Sequence, residues 1–424
     1  LHYFAYRDGE LYCEDVPVGR IAEEVGTPLY LYSRRTLVEH YRRLDQAFSH
    51  LPHIICYSVK ANSNRAVLQT LRREGAGADI VSGGELYRSL LAGIPPERVV
   101  FAGIGKTAEE MRFALEKGIL MFNVESGQEL EVLSRTAVEM GATARIALRV
   151  NPDVDPRTHP YIATGLKEAK FGLGIEDALR EYQRAAEMPG VEVCGVHQHI
   201  GSQITEVEPF RESLEKLGEL LAQLKKRGIG IRYLNMGGGF GIPYQGEDVP
   251  VPDDYARALT PLLRETGCTV ILETGRMIVG NAGILVTKVL YRKQSEKKLF
   301  LVVDAAMNDL IRPSLYGSHH QIVPVRREQR EEEVVDVVGP VCETGDFLAR
   351  ERALPRMEQG ELLAVMSAGA YGFTMSSNYN SRRRPPEVMV EGERFAVVRE
   401  REEWPDLVRG ESPFPGDADD YPGS

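Results

Sequence analysis

Eight short apolar runs, each ending in a small or polar residue and each followed by a helical stretch, fill the middle of this chain. They span 54–57, 79–81, 99–102, 120–123, 146–149, 193–196, 231–234 and 269–272. Between them the apolar period lengthens to that of a helix. In 210–226, for example, Leu214, Leu217, Leu221 and Leu224 form one stripe. Strands that alternate with helices must pair in parallel, because an antiparallel neighbour would need only a tight turn. Eight of them favour a closed (β/α)8 barrel over an open doubly wound sheet. The barrel is expected over 27–276.

Outside that segment the pattern changes. After residue 276 the runs 286–291, 299–303, 334–338, 362–366 and 388–398 read as short strands separated by turns and charges. An all-β domain is therefore expected over 277–404. At the other end, Tyr3-Phe4-Ala5-Tyr6, an Arg7-Asp8-Gly9 turn and Leu11-Tyr12-Cys13 read as a hairpin. Residues 1–26 are expected to join the β domain. The acidic, Pro/Gly-rich segment 405–424 is expected to be a flexible tail.

Composition removes several classes of function. With 43% hydrophobic and 27% charged residues the chain is globular, and a net charge of −11 argues against a nucleic-acid footprint. No apolar run approaches the ~20 residues that cross a bilayer, so no membrane partner is expected. The first twenty residues lack a basic flank followed by an apolar stretch, so no signal peptide is expected and the location should be cytoplasmic. Five cysteines without a CxxC pair imply no disulfide framework.

A (β/α)8 barrel does its chemistry where the strands end. Those ends carry Lys60; Asp79 with Ser82 and Glu85; Arg149 with Asn151; His197 and His199 with Gly201-Ser202; Gly237-Gly238-Gly239; and Glu273 with Gly275-Arg276. A lysine at a strand end usually snorkels to water. Lys60, flanked by small residues at a barrel mouth, is instead expected to be partly desolvated, with a depressed pKa and the capacity to form a Schiff base. Three glycines after a strand can turn backbone N–H groups onto an anion, and Gly201-Ser202 offers a second set of donors. They match neither a dinucleotide fingerprint nor a P-loop. The His197-x-His199 pair lacks the companions that would complete a metal site, so no metal is expected, and an imidazole stacked on a planar cofactor suits it better. A buried Glu273 needs a cationic or hydrogen-bonding partner, and a protonated pyridine nitrogen would serve.

Taken together these motifs resemble the fold-type III pyridoxal-phosphate (PLP) decarboxylases, most closely those acting on diaminopimelate. The likeness runs from about residue 15 to about 404 and is carried by Tyr57-Ser58-Val59-Lys60-Ala61-Asn62, by 77–85, and by His199-Ile200-Gly201-Ser202-Gln203. Gly237-Gly238-Gly239-Phe240, Glu273-Thr274-Gly275-Arg276, Arg312-Pro313-Ser314-Leu315-Tyr316, Cys342-Glu343-Thr344-Gly345-Asp346 and Gly369-Ala370-Tyr371-Gly372 complete it. Two departures stand out. Thr274 occupies a usual Pro position, and Arg383-Arg384-Pro385 replaces an Arg-Pro alternation.

By that resemblance PLP is the cofactor and Lys60 carries it. Asp79 belongs to its site, His199 stacks on its ring and Glu273 pairs with the ring nitrogen. Gly237, Gly238, Gly239, Ser202, Gly275 and the Arg276 region cradle the phosphate. Arg276, Arg312 and Tyr316 would hold a distal carboxylate, Glu343 a distal ammonium, and Tyr371 would lie near both phosphate and substrate. Cys342 would protonate the product carbanion. The resemblance implies a homodimer in which Cys342 and Glu343 serve the neighbouring subunit's site. It implies decarboxylation of meso-2,6-diaminopimelate to L-lysine and CO2, the last step of lysine biosynthesis. Arg and Glu together at the far end suit a substrate zwitterionic at both ends, unlike ornithine or arginine. Alternative readings are a decarboxylase of another basic amino acid or of carboxynorspermidine, and a non-catalytic PLP carrier.

Overall fold

A computed structural model describes residues 2–158 and 170–415. Residues 416–424, the latter part of the expected tail, lie outside the described residues. At the start of that segment, Trp404–Val408 forms a short 3₁₀ turn.

The N-terminal hairpin forms as expected. Strands β1 (Phe4–Arg7), β2 (Glu10–Cys13) and β3 (Val16–Pro17) make a small antiparallel sheet. It touches the later β domain through a Glu10–Arg326 bridge and the hydrogen bond from Leu11 N–H to the Val325 carbonyl. The next strand, β4 (Leu29–Ser33), lies inside the segment expected for the barrel but pairs elsewhere.

The barrel strands are β5 (His53–Ser58), β6 (Gly77–Ile80), β7 (Val99–Phe101), β8 (Met121–Val124) and β9 (Ala144–Asn151). A two-residue strand, β10 (Leu173–Gly174), pairs with the C-terminal end of β9 at Val150 and Asn151. Then come β11 (Val191–His197), β12 (Tyr233–Asn235) and β13 (Thr269–Leu272). All eight expected runs are strands. They pair in parallel from β5 through β9, then β11, β12 and β13, which returns to β5 and closes the ring. Helices wrap the outside because their apolar stripes need cover. The helix Glu208–Lys226 buries Phe210, Leu214, Leu217, Leu220 and Leu224 and leaves its charges outward. Truncating a fully buried leucine such as Leu217 would cost about 2–5 kcal/mol.

The second domain is a mixed sheet. Its strands are β14 (Gly283–Gln294), β15 (Leu299–Val303), β16 (Ile322–Pro324), β17 (Glu332–Val338), β18 (Phe347–Pro355), β19 (Leu362–Val365), β20 (Glu387–Glu391) and β21 (Arg394–Arg399). The single run expected over 388–398 is a hairpin, because Gly392 turns the chain between β20 and β21. Strand β4 sits between β14, antiparallel, and β20, parallel. All five of its residues are buried.

Two clasps fix the loop after β5 against the β domain. Asn62 donates to the Gly369 carbonyl (3.1 Å), and Tyr371 N–H donates to the Ala61 carbonyl (2.8 Å). One turn further, buried Glu387 accepts from Asn64 (2.8 Å), Tyr32 (2.7 Å) and Arg399 (2.7 Å). A carboxylate with three donors is well compensated for its burial. The segment carrying Lys60 is thereby pinned from both sides.

Candidate functional site

The C-terminal mouth of the barrel opens into a cavity of ≈ 420 Å³, roofed by the β domain. Lys60 stands at its floor, two residues beyond the end of β5, in the 3₁₀ turn Val59–Ala61. Its Nζ donates to Asp79 Oδ2 at 2.7 Å, and Ser58 Oγ donates to the same oxygen at 2.7 Å. The expected depression of the Lys60 pKa is not found. Burial does pull the ammonium down, but Asp79, with Tyr371 and Glu273, outweighs it and holds Lys60 above its ordinary range. Desolvation alone would lower Lys60; the carboxylate on the neighbouring strand β6, in register with Ser58, reverses the sign. Asp79 itself is fully buried, and burial and Glu273 push its carboxyl up against the pull of Lys60 and Ser58. Its Oδ1 has no hydrogen-bond partner among the described residues. Glu85 accepts from Val81 N–H (2.8 Å), and burial raises its carboxyl to about 7.

Glu273 caps β13 and receives three donors. Asn123 at the end of β8 reaches Oε1 at 2.9 Å and Asn235 at the end of β12 reaches it at 2.6 Å; His197 Nε2 lies 3.2 Å from Oε2. Burial opposes the charge, yet His197 and Lys60 overcome it and hold the carboxyl at about 2. Glu273 is an anion at any working pH. The two asparagines belong to the site but escaped the sequence reading. A polar residue closing an apolar strand run was the available signal.

His199 lines the cavity above Glu273. Its Nδ1 accepts from Gly238 N–H at 3.1 Å. Burial, Arg149 and Lys60 drive its pKa well below the usual value, so the imidazole is neutral. Arg149 is locked by Glu125 (2.9 Å) and reaches the His199 carbonyl at 3.3 Å.

The three glycines are required sterically. A Cβ at Gly237 would sit 2.3 Å from the Gln198 carbonyl oxygen, and at Gly239, where φ is +109°, 2.4 Å from that of Gly201. At Gly238 it would meet the Glu273 carbonyl oxygen at 1.9 Å. The loop therefore packs backbone to backbone between the ends of β11 and β13. Gly275 is equally tight, 2.8 Å from the Ala61 Cβ. Next to it Arg276 donates through Nη2 to Ser202 Oγ (3.0 Å) and through Nη1 to Tyr244 Oη (2.7 Å), leaving Nε without a partner among the described residues.

On the β-domain side, the short helix Arg312–Tyr316 brings Arg312 and Tyr316 to the cavity wall. Arg312 is 5% exposed and contacts Ser318 Oγ (3.2 Å) and His320 Nε2 (3.4 Å). His320 Nδ1 lies 2.9 Å from the Met366 carbonyl, which can only accept, so the proton is on Nδ1 and Nε2 is the acceptor. Burial and Arg312 hold His320 neutral, with a pKa of about 3. Neither Arg276 nor Arg312 pairs with a carboxylate among the described residues. Tyr371, held at φ +56°, places its ring 4.8 Å below the Arg276 guanidinium.

The structure thus brings Lys60, His199, Ser202, Gly239, Glu273, Gly275, Arg276, Arg312, Tyr316 and Tyr371 around one cavity, with Asp79, Gly237 and Gly238 directly behind it. Cys342 and Glu343 do not line it. Both are exposed on a turn between β17 and β18, with Cys342 N–H bonded to Asn380 Oδ1 (2.8 Å).

Comparison with known proteins gives one consistent answer. Residues 34–280 match the family described as "Pyridoxal-dependent decarboxylase, pyridoxal binding domain". The chain is 54% identical over 412 residues to a diaminopimelate decarboxylase of Pseudomonas aeruginosa, covering 97% of this chain and 99% of that one. It is 52% identical over 407 residues to that of Aquifex aeolicus, covering 96% of each. The crystal structure of diaminopimelate decarboxylase from Helicobacter pylori complexed with L-lysine superposes with a TM-score of 0.90 at 42% identity, over 92% of this chain and 98% of that one.

Proposed function

The chain belongs to the pyridoxal-dependent decarboxylases, and on that premise we propose that it converts meso-2,6-diaminopimelate into L-lysine and CO2. That reaction is the last step of lysine biosynthesis. The observation that carries the substrate assignment is the pair of buried guanidiniums, Arg276 and Arg312, beside one cavity with no carboxylate of their own among the described residues. Two such charges are costly to bury unless an anion arrives to meet them. A substrate with a second carboxylate, far from the reacting one, supplies it.

The residues also fit PLP. Lys60 offers an amine at the floor, and buried, partnerless Asp79 Oδ1 lies beside it. The glycine turn leaves backbone where any side chain would intrude, which suits the close approach of a phosphate. Bound PLP supplies an electron sink for the pair left at Cα when CO2 departs.

The chain's own groups do the rest. Lys60, after giving up a proton, would hold the cofactor covalently through Nζ, with water as the leaving group. Ionised Glu273, oriented by Asn123, Asn235 and His197, keeps a proton on the pyridine nitrogen. Neutral His199 offers a flat face for stacking. Gly237, Gly238, Gly239, Ser202, Gly275 and Arg276 receive the phosphate. Arg276, Arg312 and Tyr316 read the distal carboxylate, and Tyr371 borders phosphate and substrate. Cys342 then returns a proton to the substrate carbon and Glu343 meets the distal ammonium. Since both are exposed and lie off the cavity of their own chain, they act from the partner subunit of a homodimer.

Among the described residues no helix is long and apolar enough to cross a membrane. A cytoplasmic location agrees with a soluble metabolite as substrate.

The deciding experiment follows CO2 release and the visible spectrum of purified protein supplied in turn with meso-diaminopimelate, ornithine and carboxynorspermidine. Release from meso-diaminopimelate, with L-lysine as product, is expected. A carrier protein would show the cofactor spectrum and release nothing. Borohydride reduction should label Lys60; a label on Lys106 or Lys170 refutes the cofactor assignment.

A further inference from the structure

Two buried guanidiniums repel each other, and something other than a carboxylate keeps Arg276 and Arg312 together. Tyr244 lies between them. Its hydroxyl accepts from Arg276 Nη1 at 2.7 Å, and its ring centroid lies 5.9 Å from the Arg276 guanidinium and 5.1 Å from that of Arg312. His320 meets the same ring edge-on at 5.3 Å. The Tyr244 backbone is held from both domains: its N–H donates to Glu247 (2.7 Å) and its carbonyl lies 3.3 Å from His319 Nδ1.

A carboxylate at position 244 would neutralise the arginines and occupy the donors a ligand needs. A tyrosine accepts one hydrogen bond and offers a ring face, yet leaves the net positive charge intact for an incoming anion. We propose that Tyr244 is the positioning residue that makes the site selective for substrates with a distal carboxylate, by locking Arg276 and Arg312 into one carboxylate-reading pair. This rests on the reading of Arg276 and Arg312 given above.

L-Lysine and cadaverine differ only by the carboxylate in question, so their binding separates selectivity from general damage. The holoenzyme and its Tyr244→Phe, Tyr244→Leu and Arg312→Ala variants are titrated with both by calorimetry, and kcat and KM are measured with meso-diaminopimelate. Tyr244→Leu should weaken L-lysine about tenfold or more, and Tyr244→Phe severalfold, while cadaverine stays within about twofold. KM for meso-diaminopimelate should rise with kcat little changed. Equal weakening of lysine and cadaverine would make Tyr244 a merely structural residue and overturn the proposal. Unchanged lysine binding in both Tyr244 variants, with Arg312→Ala impaired, overturns it and leaves the distal-carboxylate reading standing. If Arg312→Ala also binds lysine normally, that reading falls and this proposal with it. Should Tyr244→Leu fail to fold, Tyr244→Phe, which keeps the ring, decides.

Discussion

Replacing Lys60 with alanine would remove the proposed cofactor anchor, and it also strands Asp79. That carboxylate is fully buried, faces Glu273 and keeps one remaining donor, Ser58, at 2.7 Å. Without Lys60 it takes up a proton in the folded state rather than remain charged. The free energy of doing so sets a ceiling on the damage. In the unfolded chain Asp titrates near 3.9, so holding it protonated at pH 7 costs about 4 kcal/mol, and at pH 5.5 about 2 kcal/mol. The sign follows from proton counts. Above pH 3.9 the folded variant binds one proton more than the unfolded chain, so its stability falls by about 1.36 kcal/mol per pH unit as pH rises. The reference is Lys60→Ala with Asp79→Asn, which is neutral at every pH. Urea unfolding of the cofactor-free proteins should show the double variant more stable than Lys60→Ala by about 4 kcal/mol at pH 7 and about 2 kcal/mol at pH 5.5. A gap independent of pH would refute the reasoning, since Asp79 would then not be the titrating group.

Three further outcomes are expected. Arg312→Ala should raise KM for meso-diaminopimelate by the worth of a desolvated charge-assisted contact, about 1.5–3 kcal/mol, and normal kinetics would return the runner-up substrates. Gly238→Ala drives a methyl into the Glu273 carbonyl oxygen at 1.9 Å, so it should abolish cofactor retention through gel filtration, read from the visible band. Mixing inactive Lys60→Ala with inactive Cys342→Ala and allowing subunits to exchange should restore activity towards half per mixed dimer. No recovery after demonstrated exchange would place Cys342 in its own subunit's site.

The barrel was legible because each strand is a short apolar run closed by a small or polar residue, and those closing residues supply the barrel side of the candidate site. Asn123 and Asn235 carried the same signal as Asp79 and Glu273 but fit no motif, so they went unread. Strand β18 hid behind Arg350, Glu351 and Arg352, three charged residues in a row that a strand can carry because Glu351 bulges at φ +48°. Tyr244 had no periodicity to betray it. It stands on an irregular loop, and its partners come from opposite domains. Cys342 and Glu343 entered through resemblance alone; the structure adds that they leave their own chain's cavity.

Strand β4 has its neighbours far along the chain. It pairs with β14 across a loop of roughly 250 residues, whose closure costs about 5 kcal/mol in chain entropy. The barrel lies within that loop, so folding it first shortens the loop to a compact body with fixed ends. This topology predicts that the β domain forms late, on a barrel already made. Until Gly283 and Glu387 arrive, Tyr30 and Tyr32 have no sheet partners on either side. During synthesis that apolar strand waits without partners, and the Lys60 loop gains its last clasps from Gly369 and Glu387 only when the chain is nearly complete.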